Sequence, residues 1–297
     1  PYVPGVGCAL DVKSRDLGLG LGAGAYVHLL PNIAGYVGSD HVAMLLGCGL
    51  ADLEGVVLAL DIGTNTEVCL SNHGSLTSLS CASGPAFEGA HIKHGMRAAN
   101  GAIERLRLVG EGLEFQTIGG ARAVGLCGSG ILDTLAQLYD NGVVKANGRM
   151  GQHPRLRGEG GKREFLLVAG GDGHPDITFT QKDVRELQLA KGAMRTGVNV
   201  LLEANDLTPD DVDQVIIAGA FGTYIDVTSA MTIGMLPWMP VERFRQVGNA
   251  AGMGAKMALI SRAKRAEAQE LARRIGYIEL AAVPDFTRTF ADAMYLG

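Results

Sequence analysis

Three short apolar segments joined by tight polar turns constrain this chain more than any other feature. Val56–Leu60 leads into the turn Asp61–Asn65, and a second apolar segment returns from Thr66 to Leu70. Asn72-His73-Gly74 then turns the chain into a third segment, Ser75–Ser80. Such short connections permit only antiparallel pairing, because a parallel crossover needs a dozen or more residues. The sequence therefore predicts a three-stranded antiparallel sheet.

The polar residues of the first turn have the chemistry of a phosphate site. Asp61 ends a buried strand, where a carboxylate is costly unless a cation or hydrogen-bond donors compensate it. Gly63 allows a ligand to approach closely, and Thr64, Asn65 and the nearby backbone N–H groups can donate to an anion. We interpret Asp61 and Glu67 as candidate catalytic residues, with Asp61 holding Mg²⁺ through water. The alternative is an ordinary hairpin with Gly-Thr-Asn turn chemistry.

Three glycine-rich segments lie at the ends of predicted elements further along the chain. One follows a strand, and two open helices. Val215–Ala218 is predicted as a buried strand that ends in Gly219-Ala220-Phe221-Gly222, whose bare backbone can lie against a base or ribose. Gly125–Gly130 and Gly248–Ala255 open predicted helices with residues small enough for two helices to cross closely. Tight packing without a functional hinge is the alternative for both. The candidate nucleotide contacts here are Gly128, Ser129, Gly130, Gly219, Ala220, Phe221 and Gly222.

Helix signals place the remaining elements. A small-residue helix is predicted from about Ser39 to Leu50, and a last long helix from Gly248 to about Arg274. Thr180-Gln181-Lys182-Asp183 is a capping box that starts another long helix. Residues 145 to 164 are polar, Gly-rich and predicted as an irregular excursion. We divide the chain into an N-terminal segment (1–55) completing a first lobe, the first lobe itself (56–145) and a second lobe (146–297).

Composition limits the partners. The formal charge of −5 and the lack of a basic stripe with aromatic residues argue against nucleic acid, so any polyanion contact should be local. No apolar run reaches membrane-spanning length, and no signal-peptide pattern is present. The cysteines lack CxxC spacing, which predicts reduced thiols in a cytoplasmic protein: Cys8, Cys48, Cys69, Cys81 and Cys127. The absence of an initial Met suggests a piece of a longer protein.

The order of these motifs resembles the superfamily of acetate and sugar kinases, heat-shock chaperones and actin. Four segments together look like one family within it, the reductive activators of corrinoid-dependent enzymes. The segments are Leu60–Glu67, Cys81–Gly89, Gly125–Gly130 and Ala218–Gly222. The second phosphate motif stays open between Ser83–Gly89 and Gly125–Gly130, and Gly219-Ala220 departs from the adjacent glycines usual in the adenosine motif.

The resemblance implies an α/β fold of two actin-like, ribonuclease-H-like lobes with ATP and Mg²⁺ in a cleft between them. It implies an ATPase that returns the cobalt(II) of a corrinoid protein to cobalt(I). A 2Fe–2S cluster is expected only on an N-terminal domain that this chain lacks, so an iron–sulfur domain or protein would donate the electron. A second copy of the chain, in a homodimer, is a further candidate partner. The alternatives are a small-molecule kinase of the same fold and a nucleotide-binding scaffold.

Two secondary contacts are also candidates, one from the resemblance and one from the residues themselves. A helix of the second lobe often contacts the adenosine, which makes Lys191, beside Gln188 and Arg195, a candidate; a solvated basic edge is the alternative. The loop Ser83–His94 combines Gly-Pro rigidity, mixed charge and an exposed-looking Phe87, which makes it a candidate partner contact; burial of Phe87 between packed elements is an alternative with at least equal support. His91 and His94 form only a weak metal signal, because no pair of carboxylates accompanies them.

Overall fold

The computed structural model describes residues 3–171 and 173–297. The strands are β1 (Leu10–Lys13), β2 (Tyr26–Leu29), β3 (Val56–Ile62), β4 (Thr66–Asn72), β5 (Ser75–Cys81), β6 (Ala102–Val109), β7 (Gly112–Thr117), β8 (Gly125–Leu126), β9 (Leu156–Arg157), β10 (Glu164–Val168), β11 (Ile177–Thr180), β12 (Gln214–Ala218), β13 (Phe244–Gly248) and β14 (Ile275–Tyr277). The helices are α1 (Ser39–Cys48), α2 (Gly128–Asp140), α3 (Gln181–Glu203), α4 (Val227–Thr232), α5 (Ala250–Ile260), α6 (Arg262–Arg274) and α7 (Phe286–Ala293). None of these described helices is both long enough and apolar enough to cross a membrane.

A mixed six-stranded sheet with the order β13-β12-β3-β4-β5-β14 forms the centre of the fold. The pairs β3–β4 and β4–β5 are antiparallel, which confirms the prediction made from the two short turns. On the other side of β3, β12 and then β13 add in parallel. Strand β3 therefore joins the antiparallel half of the sheet to the parallel half.

Alternation along β3 determines which face of the sheet receives each side chain. Leu58 and Leu60 enter the larger hydrophobic core, together with apolar residues of α2 and α3. Val57 and Ala59 enter a smaller core with residues of α1, α5 and α6. Asp61 continues the second series, so its carboxylate lies on the face that α1 and α5 cover.

The sheet crosses the boundary that the sequence suggested between residues 145 and 146. Strands β3, β4 and β5 precede that boundary, whereas β12, β13 and β14 follow it. A carboxylate oxygen of Asp213, just before β12, accepts a hydrogen bond of 2.8 Å from the backbone N–H of Val56. The two predicted lobes thus share one sheet and one large core. Long-range parallel pairing, which no local pattern in the sequence reveals, produces this arrangement.

Helices α1 and α5 cross at a contact between glycine and bare backbone. A Cβ on Gly254 of α5 would overlap the carbonyl oxygen of Ala43 in α1, and one on Gly47 would overlap that of Ala250. The predicted helix Gly248–Ala255 does therefore support a close helix crossing. Its partner is α1 of the N-terminal segment.

The glycines of α2 serve a different contact from the helix crossing suggested by the sequence. A Cβ on Gly130 would overlap the backbone carbonyl of Ile103 in β6, so the helix packs directly on a strand. The single helix predicted to end near Arg274 was also wrong. The backbone is extended at Ser261, whose hydroxyl accepts a hydrogen bond from the N–H of Lys264 and caps α6. In contrast, the predicted capping box of Thr180 and Asp183 is confirmed at the start of α3.

The helix crossing predicts the cost of a single added methyl group. Gly254→Ala should lower the free energy of unfolding by about 2 kcal/mol, because overpacking costs about 1–3 kcal/mol or more and alanine regains only about 1 kcal/mol in helix propensity. Ala255→Ser, at an exposed position of the same helix, serves as the control. Urea denaturation of both variants measures the difference. Equal stabilities would contradict the close crossing.

Candidate functional site

Asp61 is a carboxylate at the carboxyl end of β3 without a compensating cation. Burial, with a smaller contribution from the negative charge of Asp40, raises the pKa of the Asp61 carboxyl to about 6. Among the described residues, Asp61 takes part in no ion pair. A desolvated carboxylate of this kind is unfavourable in the free protein. It is well suited to attract a cation with its own hydration shell.

Glu67 lies directly opposite Asp61 in the register of β3 and β4. Its Oε1 accepts a hydrogen bond of 3.0 Å from the hydroxyl of Ser80. Burial, reinforced by the negative charges of Asp40 and Asp61, outweighs that hydrogen bond and raises the pKa of Glu67 to about 7. Asp61 and Glu67 are therefore neighbouring carboxyl groups whose pKa values burial raises toward neutral pH.

Asp40 lies near the candidate site, and the sequence analysis did not single it out. It stands in the first turn of α1, a helix read from the sequence only as a small-residue segment. Its carboxylate contributes negative charge at both Asp61 and Glu67. An Asp in a first helical turn ordinarily signals interaction with the helix dipole. Only the packing of α1 across the sheet reveals the second role.

The turn after β3 is exposed and tied to the next motif. Gly63, Thr64 and Asn65 are all exposed. The Thr64 hydroxyl donates to Oε1 of Glu88 at 2.5 Å, and the backbone carbonyl of Thr64 accepts from the N–H of Gly84 at 2.8 Å. These contacts hold the loop beginning at Ser83 beside the turn, as expected if both segments line one ligand site.

An aromatic stack joins three of the motif segments. The rings of Phe87 and Phe221 are 4.9 Å apart and inclined by 22°. A Cβ on Gly128 would overlap both the carbonyl oxygen of Phe87 and the ring of Phe221, so glycine permits this contact. Phe87 is only 5% exposed. Of the two alternatives for Phe87 that the sequence left open, the structure shows the buried one, because its ring packs between segments of the site.

Gly219 brings the proposed adenosine segment against Asp61. Parallel pairing places Ala218 beside Asp61, and the next residue, Gly219, adopts a φ of +93°. A Cβ at Gly219 would lie 3.0 Å from Oδ1 of Asp61 and 2.5 Å from the carbonyl oxygen of Ile62. Ala220, next in the chain, is exposed. The backbone is thus bare at the point where it meets the carboxylate.

Most of the residues predicted for the site fall into one connected region. Asp61–Glu67 contacts the loop at Ser83 and Glu88, and that loop contacts Gly128 and Phe221 through Phe87. The backbone of Gly219 in turn lies against the carboxylate of Asp61, which completes the set of contacts. Ser129 and Gly130 follow in the first turn of α2, and Gly222 is buried against the carbonyl of Ala218. Segments separated by more than a hundred residues therefore meet at the carboxyl end of the central strand β3.

Lys191 has a different environment from these residues. Its side chain is buried, and its Nζ donates to the carbonyl oxygen of Tyr295. Burial, with a smaller effect from Arg195, lowers the pKa of Lys191 to about 7. A cavity of about 340 Å³ adjoins Lys191, Arg195 and Arg288. The described contacts of Lys191 are to the C-terminal segment and its own helix, and its contact with adenosine stays a prediction.

The two histidines of the predicted partner loop also have separate surroundings. Nδ1 of His91 is 3.9 Å from a carboxylate oxygen of Glu186, whereas Nε2 of His94 is buried without a hydrogen-bond partner. Within residues 3–171 and 173–297, no group of three or more His, Cys, Asp or Glu side chains is placed to hold a metal ion. Binding of a hydrated Mg²⁺ at Asp61 stays a prediction.

Comparison with known proteins identifies one family along the whole chain. A family model described as the C-terminal domain of RACo, the ASKHA domain, matches residues 55–297, and the RACo middle region matches residues 1–53. The chain is 36% identical over 294 residues to the corrinoid activation enzyme RamQ of Eubacterium limosum, covering 95% of this chain and 49% of that protein. It is 27% identical over 267 residues to a Co(II) methylated amine-specific corrinoid protein reductase of Methanosarcina barkeri, covering 82% and 46%.

A solved structure extends the similarity to the fold. The reductive activator for corrinoid, iron–sulfur protein superimposes with a TM-score of 0.90 at 38% identity, covering all of this chain and 48% of that one. The α/β fold predicted from the motif order is thereby confirmed. The chain spans about half the length of each of these relatives.

The desolvated carboxylates predict an unusual pH dependence of stability without ligand. Because folding raises the pKa of Asp61 from 3.8 to about 6 and that of Glu67 from 4.5 to about 7, the folded state binds protons more tightly than the unfolded chain. The stabilisation from these protons is complete below about pH 4 and is lost as the pH rises to about 7.

Asp61→Asn should remove the Asp61 part of this loss. We expect the variant to be about 1–2 kcal/mol more stable than the parent at pH 8, with a smaller gain at pH 5. Urea denaturation in the presence of a chelator measures both values. Asp210→Asn, at an exposed position before β12, is the matched control. The same gain at both pH values would contradict an ionised, desolvated Asp61.

Proposed function

Because it matches the models of the RACo middle region and of the RACo C-terminal ASKHA domain, the chain belongs to the RACo family, and we propose that it binds and hydrolyses ATP to drive the reductive activation of a corrinoid protein. The observation that carries the proposal is the uncompensated pair Asp61 and Glu67 beside an exposed Gly-Thr-Asn turn. The names of the relatives support corrinoid activation as the process that this site serves.

The residues present fit Mg²⁺ and ATP. Mg²⁺ keeps several waters and is usually held by one or two carboxylates together with substrate phosphates. Asp61 supplies such a carboxylate, and the cation would remove the unfavourable desolvation of its charge. The exposed turn Gly63–Asn65 offers donors to phosphate oxygens, while the bare backbone at Gly219 and Ala220 leaves room for the nucleoside. When bound, Mg²⁺ would neutralise charge on the phosphates.

Glu67 is suited to accept the proton of the attacking water. A pKa near 7 leaves a substantial fraction of the carboxylate ionised at neutral pH and gives it the basicity of an effective general base. In the proposed reaction, water attacks the γ-phosphorus and the bond to the β,γ-bridging oxygen breaks. ADP and inorganic phosphate leave, and Glu67 holds the proton of the water. The Ser80 hydroxyl orients the Glu67 carboxylate through their hydrogen bond.

Hydrolysis can assist cobalt reduction only through coupling between sites. A nucleotide shifts an equilibrium only by its differential affinity for two states, so ATP must favour a complex or conformation in which cobalt(II) is easier to reduce. We propose that the electron comes from an iron–sulfur domain or protein outside this chain. The aromatic contact of Phe87 with Phe221 links the site to the loop Ser83–His94 and offers a route for such coupling.

Nucleotide binding tests the site directly. Asp61→Asn should weaken Mg²⁺-dependent ATP binding by at least about thirtyfold, because a charged contact contributes about 2 kcal/mol. Isothermal titration with and without Mg²⁺ measures the affinity and its metal dependence. Asp210→Asn makes the same chemical change at a distant exposed position and should bind as the parent does. Unchanged affinity in Asp61→Asn would refute the assignment.

Partner coupling tests the wider function. A cobalt(II) corrinoid protein at saturating concentration should shift the ATP dissociation constant by about 5-fold to 150-fold, the usual range of coupling between sites. By reciprocity, ATP should change the affinity for the corrinoid protein by the same factor. Identical ATP affinities with and without the partner would exclude the coupling. Transfer of phosphate to a sugar or carboxylate would favour the kinase alternative.

A further inference from the structure

A groove of concentrated positive charge lies beside the N-terminal half of α3, away from the carboxylate site. Three adjoining cavities of about 400, 640 and 490 Å³ form it, and Arg163 lines all three. We call it the basic groove and define it by Lys145, Arg149, Lys162, Arg163, Lys182 and Arg185. Much of its wall is the polar excursion 145–164, to which the sequence assigned no role.

The wall of the basic groove is held in place by hydrogen bonds. The side chain of Gln181 donates to the carbonyl of Gly148 at 2.7 Å and accepts from the N–H of Met150 at 2.9 Å. Nη1 of Arg163 donates to the carbonyls of Met150 and Gly151 at 2.5 and 2.6 Å. The turn that carries Arg149 is therefore fixed to α3. A fixed wall presents its charges with little loss of conformational entropy on binding.

The positive charges of the basic groove are largely uncompensated. Among the described residues, Lys145, Arg149, Lys162, Lys182 and Arg185 are exposed and take part in no ion pair. Few acidic side chains neighbour these cations, and most of those already have other partners. Glu164 pairs with Lys93 at 2.6 Å, and both carboxylate oxygens of Asp183 accept backbone hydrogen bonds, which leaves Glu159 on the wall.

The floor of the groove disfavours a small buried anion. The side-chain amide of Gln181 donates one hydrogen bond to the turn and accepts another from it, and that of Gln188 donates to the carbonyl of Met294 at 2.9 Å. A small anion would therefore find exposed cations but few free buried donors. Single-stranded nucleic acid is also disfavoured, since no Phe, Tyr or Trp lines these three cavities within the described chain, which leaves His91 as the one ring there on which a base could stack.

We propose that the basic groove binds an extended acidic segment of a partner protein. Cations spread over three adjoining recesses match carboxylates distributed along a chain better than one compact charge. Arg149 and Arg185 can bind Asp or Glu side chains in bidentate geometry, while the lysines add charge at the ends of the groove. Such exposed pairs supply orientation and a faster association rate, and their effect falls with salt.

Binding of a synthetic acidic peptide tests the groove. The probe is a fluorescein-labelled 16-residue peptide of repeated Glu-Gly-Asp-Ser, and the measurement is fluorescence anisotropy at low and at physiological salt. The triple variant Arg149→Glu, Lys162→Glu, Arg185→Glu should bind more than about tenfold more weakly, because it replaces three exposed attractions by repulsions. The control is Lys256→Glu, Arg262→Glu, Arg273→Glu, which makes the same change in net charge at exposed positions of α5 and α6.

The expected result is salt-sensitive binding that the control retains within about threefold and the groove variant loses, with unchanged thermal melting in both. Failure of the parent chain to bind the peptide would overturn the proposal. Equal losses in the two triple variants would overturn it as well, since they would show an effect of net charge alone. Equally tight, groove-dependent binding of an oligothymidylate of the same charge would assign the groove to polyanions in general.

Discussion

The parallel pairing of β12 with β3 is the interaction on which the site depends. It sets Ala218 beside Asp61, and the following Gly219 then lies against the Asp61 carboxylate. The antiparallel partner β4 sets Glu67 opposite the same Asp61. One strand thus brings together a carboxylate that could hold Mg²⁺, a candidate base and the bare backbone that we propose faces the nucleoside. A register shift of one residue in either pairing would turn these side chains to the opposite face.

Unpaired charges of opposite sign stand in the two regions for which we propose ligands. At the carboxyl end of β3, burial raises the pKa of Asp61 and of Glu67, and the negative charge of Asp40 adds to both shifts. At the basic groove, cations such as Arg149 and Arg185 stand without anionic partners among the described residues. Each region is electrostatically unsatisfied in the free chain. Each therefore gains when a ligand of complementary charge binds.

Much of the local structure could be predicted because short-range rules determine it. The two tight turns require antiparallel pairing of β3, β4 and β5, and the capping box Thr180–Asp183 marks the start of α3. The identity of the site residues around Asp61 also follows from chemistry, since an Asp at the end of an apolar strand needs a partner. The break at Ser261 was missed because a serine inside a helical pattern looks the same whether it caps or continues.

The sequence by itself determined the antiparallel strands β3, β4 and β5, the start of α3, the phosphate-like turn at Asp61 and the family to which the motif order belongs. Only the tertiary structure decided which segments meet. It joined Val56 to Asp213 across 157 residues, packed Phe87 on Phe221, and brought Asp40 of α1 to the carboxylate pair. The physical reason is range: periodicity and capping act over a few residues, whereas parallel pairing and helix crossing depend on the burial of surfaces that are distant along the chain.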